Sequence, residues 1–210
     1  MTQLPLIRRR TAVATALLVG AGLTTSSAVF AQAGKSALNL AMVAEPPTLD
    51  IQSTPADLVC IIMQHVYEPL FTFDAKSALV PMLAESMPKI SADGKLYTIT
   101  LRKGVKLHSG RELNADDVVA SLKRWMDVSP RGKSVAAQVA DLVAKGPLTV
   151  EISLKNAYAP LLSQLAMASG MAAIMAKESL AQPLREYVGT GPYKFKERRP
   201  DQYVLLTRFD

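Results

Sequence analysis

The chain has 210 residues, room for one or two domains, with 24 basic and 18 acidic side chains and a formal charge of +6. Its first segment carries three Arg and no acid, so without it the +6 falls to +3. That is an ordinary surface balance, not the basic patch of a nucleic-acid binder, and no nucleic-acid partner is expected.

That first segment has the layout of an export signal. Arg8, Arg9 and Arg10 precede an uncharged stretch from Thr11 to Gly34, with an apolar run from Ala12 to Leu23 and an ending "AVFAQA". A basic start, a short apolar stretch and small residues at the end describe a secretory signal peptide. A membrane-spanning helix needs about 20 apolar residues, more than this run supplies. Residues 1–31 are therefore read as a signal peptide, with cleavage after Ala31 or Ala33 fitting equally. Arg9-Arg10 leaves twin-arginine export open, although Ala12-Val13 follows where that signal has bulkier residues. No Cys stands at the cleavage zone to take a lipid anchor. Cys60 is the only cysteine, so no internal disulfide forms, and its apolar neighbours place it as a small buried hydrophobe.

Along the mature chain, "ALNLAMV" (37–43) predicts a short buried strand, and "AEPPTLD" a loop, because each residue before Pro46 and Pro47 is pushed to extended geometry. From Asp57, the spacing of Leu58, Ile61, Ile62 and Val66 predicts a helix with those residues on its buried face, ended by Pro69. "LFTFD" reads as a strand, "PMLAESM" as a short helical turn and "SADG" as a turn. "KLYTITL" alternates with Tyr97, Ile99 and Leu101 on one face, which is strand period. Asn114 caps a helix to Met126, with Asp117 three residues on to complete a capping box. Val118, Val119, Leu122, Trp125 and Met126 form its apolar face, and "SPRG" breaks it. "LTVEISL" is an alternating strand, Pro160 opens an apolar helix through Ala168, and "YKFKERRPDQYVLLTRF" reads as a hairpin turning at "RRPDQ".

Catalytic constellations do not emerge. His65 lies within an apolar run and reads as a packed core residue, and His108 sits in a Gly-flanked turn; neither has a nucleophile motif beside it. No His-Glu-x-x-His and no Cys pair signals a metal, so neither metal nor cofactor is expected. Asp116-Asp117 is explained by helix capping. Gly189-Thr190-Gly191 lacks the third glycine of a dinucleotide loop, and Pro192 followed by alternating aromatics opens a strand, whereas a phosphate loop opens a helix. Residues alone leave an exported mixed α/β chain open between a binding protein and an enzyme.

"YEPLF" (67–71), "LAES" (83–86), "DGKLYTITLRKGVKLHSG" (93–110), "LNADDVVASLKRW" (113–125) and "GTGPYKF" (189–195) stand in an order and spacing that resembles the family 5 extracellular solute-binding proteins of ABC transporters, which bind dipeptides, oligopeptides, glutathione or nickel. The resemblance runs from about Leu38 to Asp210. It implies an α/β fold of the type II periplasmic binding protein kind, in which ligand lies between two lobes. Residues 35–56 and 187–210 would be core-lobe segments and residues 57–186 an inserted subdomain of lobe I. Family members are more than twice as long, so the second lobe would be missing here and the chain would be a fragment. The resemblance also implies a periplasmic monomer that binds a peptide or similar small solute and delivers it to permease subunits. Gln52, Ser53 and Thr54 match a region bordering the cleft in peptide-binding relatives and are the candidate ligand-binding residues. An exported enzyme that reuses the fold, or a fragment that binds a partner outside transport, are the alternatives.

Overall fold

The computed structural model describes residues 37–209. The signal-peptide reading of residues 1–31 falls outside them. Residues 37–41 carry no regular structure and are exposed, and Met42 and Val43 that follow are exposed as well. The predicted buried strand at 37–43 is therefore not formed. Its backbone N–H and C=O groups enter no ladder, and without a paired neighbour an apolar run does not become a strand.

Helix α1 spans Asp57–Met63, and strands β1 (Phe71–Phe73) and β2 (Leu79–Pro81) pair antiparallel beyond it. The buried face of α1 is Val59, Cys60, Ile62 and Met63, with Leu58 half-buried and Ile61 half-exposed. This turns the predicted face by part of a revolution. Asp57 to Met63 is apolar nearly all round after its first residue, so spacing alone could not choose the side. Cys60 is buried as expected, and burial pushes its thiol above the ordinary value.

"PMLAESM" is not helical. Pro81 closes β2, and the amides of Met82 and Ala84 both donate to the Leu70 carbonyl. Those bonds to the residue just before β1 replace the internal bonds of a helical turn.

Strands β3 (Lys89–Ile90), β4 (Leu96–Thr100), β5 (Val139–Gly146) and β6 (Thr149–Leu154) make an antiparallel sheet in the order β3-β4-β6-β5. Tyr97 and Ile99 face Ile152 and Val150 across the β4–β6 register, and all four are buried. Against this face lies helix α2 (Ala115–Val128), which presents Val118, Leu122 and Trp125. Its start is the predicted capping box. Asn114 accepts from the amides of Asp116 (3.0 Å) and Asp117 (3.2 Å), and Asp117 accepts from the Asn114 amide (3.0 Å). Where "SPRG" was expected to end regular structure, a second helix, α3 (Pro130–Ala136), follows at once. Pro130 fits there because the first helical residue needs no amide hydrogen. Gly132 allows the close crossing: a Cβ would stand 2.0 Å from the Trp125 carbonyl oxygen. Helix α4 (Leu161–Ala166) and the hairpin of β7 (Tyr193–Arg199) and β8 (Tyr203–Arg208) complete the elements.

Two buried apolar clusters result. One joins the four-stranded sheet, α2 and α4; the other joins Leu49, Ile51, α1, Val66, Tyr67 and Leu184, with Tyr187, Phe195, Val204 and Leu206 packed on it. The stretch Met171–Ala176 divides them. Ala172, Ile174 and Ala176 belong to the first cluster, and Met171, Ala173 and Met175 to the second. It behaves as an extended segment buried on both sides.

Candidate functional site

The loop at 48–56 is the point where the fold and the predicted site meet. Asp50 and Arg124 of α2 form an ion pair whose side chains are 12% and 8% exposed. Arg124 Nη1 donates to Asp50 Oδ1 (3.1 Å) and to Gln52 Oε1 (2.8 Å). The Gln52 side-chain amide donates to the carbonyls of Ser121 (3.1 Å) and Ala173 (2.8 Å). Asp50 Oδ1 also accepts from the Gln52 amide (3.2 Å). One carboxylate, one guanidinium and one carboxamide thus tie the loop to α2 and to the central extended segment. Ser121 continues the tie: its hydroxyl accepts from the Met175 amide (2.9 Å) and donates to the Met175 carbonyl (3.1 Å).

The three predicted ligand residues sit in different surroundings. Gln52 is fully buried, with both ends of its carboxamide engaged by the protein. Ser53 is exposed, its hydroxyl donating to the Asp50 carbonyl at 2.9 Å. Thr54 is half-buried, and its hydroxyl accepts from the Ala56 amide at 3.2 Å. Beyond them the Pro55 carbonyl accepts from the Ser169 hydroxyl (3.0 Å). The Ser53–Thr54 tip therefore stands between an anchor at Gln52 and another at Pro55. Arg124 is the residue that sequence reasoning missed, because nothing local in the sequence pairs it with Asp50.

Tyr67 lies close enough to Asp50, Arg124 and Tyr187 to feel their charges, and burial holds its phenol well above the ordinary value. Its hydroxyl and Arg124 Nε have no hydrogen-bond partner among the described residues.

The glycine loop is a contact between segments. A Cβ on Gly189 would stand 2.2 Å from the Val66 carbonyl oxygen, and one on Gly191 2.5 Å from that of His65. The Gly191 amide donates to the Val66 carbonyl and the Tyr193 amide to that of His65, both at 3.0 Å. His108 closes the other side: its Nε2 lies 2.8 Å from the Gly191 carbonyl, and its Nδ1 accepts from the Gly189 amide (3.3 Å). A neutral ring with hydrogen on Nε2 satisfies both. His65, read as a packed core side chain, is only half-buried, and its carbonyl makes the bond that matters here. No group of three or more His, Cys, Asp or Glu side chains among the described residues is placed to hold a metal ion.

The sheet-and-helix unit with its anchored loop has the α/β fold of one lobe of a type II periplasmic binding protein. The description "Bacterial extracellular solute-binding proteins, family 5 Middle" matches residues 78–210, and the chain belongs to this family. It is 31% identical to the nickel-binding periplasmic protein of Escherichia coli K12 over 68% of this chain and 28% of that one. It is 32% identical to the glutathione-binding protein GsiB of the same strain, over 77% of this chain and 32% of that one. Among solved structures, the dipeptide-binding protein of Pseudoalteromonas sp. SM9913 in complex with Met-Leu superposes with a TM-score of 0.70 at 30% identity, covering 79% of this chain and 38% of that chain. The chain thus spans about a third of the length of the curated relatives it matches.

Proposed function

We propose that this protein is the periplasmic substrate-binding component of an ABC transporter, taking a peptide or similar small solute and delivering it to permease subunits. The observation that carries the reading is membership of the family, together with relatives named for periplasmic nickel binding, periplasmic peptide binding and glutathione binding. The protein acts as a monomer outside the cytoplasmic membrane, exported by residues 1–31, and performs no catalysis. Its core-lobe segments are 35–56 and 187–210, with 57–186 inserted between them; Leu49 and Ile51 share a cluster with Tyr187, Phe195, Val204 and Leu206, and α1, Val66, Tyr67, Met175 and Leu184 from the inserted range belong to the same cluster. That α1 lies in the same cluster makes the insertion dock closely on the core.

Within the site, Ser53 and Thr54 meet the solute and Gln52 forms the buried base beneath them. Hydroxyls in a partly wet cleft suit peptide-like ligands, whose amides need hydrogen-bond partners and tolerate bridging water.

Cell fractionation followed by native mass spectrometry tests the reading. The expected result is a periplasmic protein that carries a peptide-like small molecule, with Ser53→Ala and Thr54→Val each weakening its retention about fivefold, one hydrogen bond's worth. A protein confined to the cytoplasm, or one that holds no solute from any periplasmic extract, overturns it.

A further inference from the structure

We infer that Arg124 is the positioning residue for the Ser53–Thr54 tip, and that its ion pair with Asp50 serves ligand affinity rather than fold stability. The inference rests on the solute-binding reading above. Arg124 reaches from α2 to a loop more than seventy positions earlier, and it satisfies two loop side chains with a single nitrogen. Gln52 then spends its other end on Ser121 and Ala173. The side chains of Asp50 and Gln52 are thus both engaged within the protein, at the base of the tip. Among the described residues, Ser53 is held by Asp50, its amide (3.1 Å) and its hydroxyl (2.9 Å) both donating to the same carbonyl. The place of Ser53 is thus inherited from the place of Asp50, and that from Arg124.

A buried ion pair is a poor way to gain stability. Its desolvation cost rivals its attraction, and apolar replacements of similar volume often do as well. Here the cost is compounded, because Arg124 Nε has no partner among the described residues. What the arrangement supplies instead is geometry. A planar guanidinium fixes direction as well as distance, which a lysine cannot reproduce. The second anchor, Ser169 on the Pro55 carbonyl, leaves only Ser53 and Thr54 between two fixed points.

The test is Arg124→Lys in the purified protein, read by amide hydrogen exchange across 50–56 and by titration with the dipeptide Met-Leu. Expected are exchange at residues 52–54 faster by tenfold or more, unchanged exchange in β4 and β6, and dipeptide affinity lower by tenfold or more. Gln52→Met, which removes the carboxamide and keeps the volume, gives the same pattern and serves if Arg124→Lys does not fold. Exchange at 52–54 unchanged in both variants overturns the inference, whatever the affinity. Exchange raised equally at 52–54 and in β4 and β6 overturns it too, since the pair would then be a stability element. If the unaltered protein ignores Met-Leu while the local exchange pattern holds, the positioning role stands and the dipeptide form of the functional reading falls.

Discussion

Two glycines, Gly189 and Gly191, are held by contact, and two others, Gly104 and Gly110, by conformation. The first pair has no room for a methyl group against the His65–Tyr67 backbone. The second pair has open space but φ of 72° and 88°. The distinction makes a prediction. Gly191→Ala must move backbone and should lose about 1–3 kcal/mol or more in urea unfolding. Gly104→Ala should lose about 1–2 kcal/mol, from left-handed strain alone.

His108 supplies a second residue-scale prediction. Burial depresses its pKa, Lys194 adds to this, and the bond to the Gly191 carbonyl opposes it. In the folded state the ring therefore stays neutral to lower pH than in the unfolded chain, where it titrates near 6.5. The unfolded state binds more protons below that pH, so stability is complete above about 6.5 and declines as pH falls toward the folded pKa. Protonation would also set a second N–H against the Gly189 amide. Thermal unfolding from pH 7.5 to 5 should show this decline, and His108→Gln should flatten it.

Among the elements, the capping box and the regular strands are legible from local spacing, whereas 37–43, "PMLAESM" and "SPRG" are decided by tertiary partners. The Asn114 box depends on residues three apart, and it formed as its chemistry requires. Its removal by Asn114→Ala should cost about 1 kcal/mol, measurable by chemical denaturation. Asp117 adds a tertiary role to the cap. Burial pushes its carboxyl up, but Arg111 and the amides of Asn114 and Lys177 outweigh that and hold it below the usual range. β6 was legible because every second residue is apolar and the strand is regular. β5 was not, because two register shifts, at Val139/Asp141 and Ala144/Gly146, break the alternation on which recognition depends. Gln52 is a ligand candidate only through the family resemblance, which places 52–54 beside the cleft. Only the tertiary path of α2 reveals that its carboxamide is spent on backbone carbonyls.

Over the described residues as a whole, the two apolar clusters are not independent. α2 contributes Trp125 to the first, while its Ser121 fastens Met175 of the segment that feeds the second. Trp125 is the only tryptophan, fully buried, with its indole N–H on the Gly170 carbonyl at 2.9 Å. Its emission therefore reports on the seam between clusters. Tryptophan fluorescence and far-ultraviolet circular dichroism should trace one coincident urea transition. Two separated midpoints would show that the clusters unfold apart.

The stretch Met171–Ala176 has two insides and no outside. Parity then becomes a structural constraint. Deleting Ala173, for example, would turn every residue beyond it to the other side, sending Met175 into the sheet cluster and Ile174 and Ala176 into the α1 cluster. A substitution there damages one core, whereas a one-residue slip damages both at once. The length of this short span is consequently as fixed a property of the protein as any side chain in it.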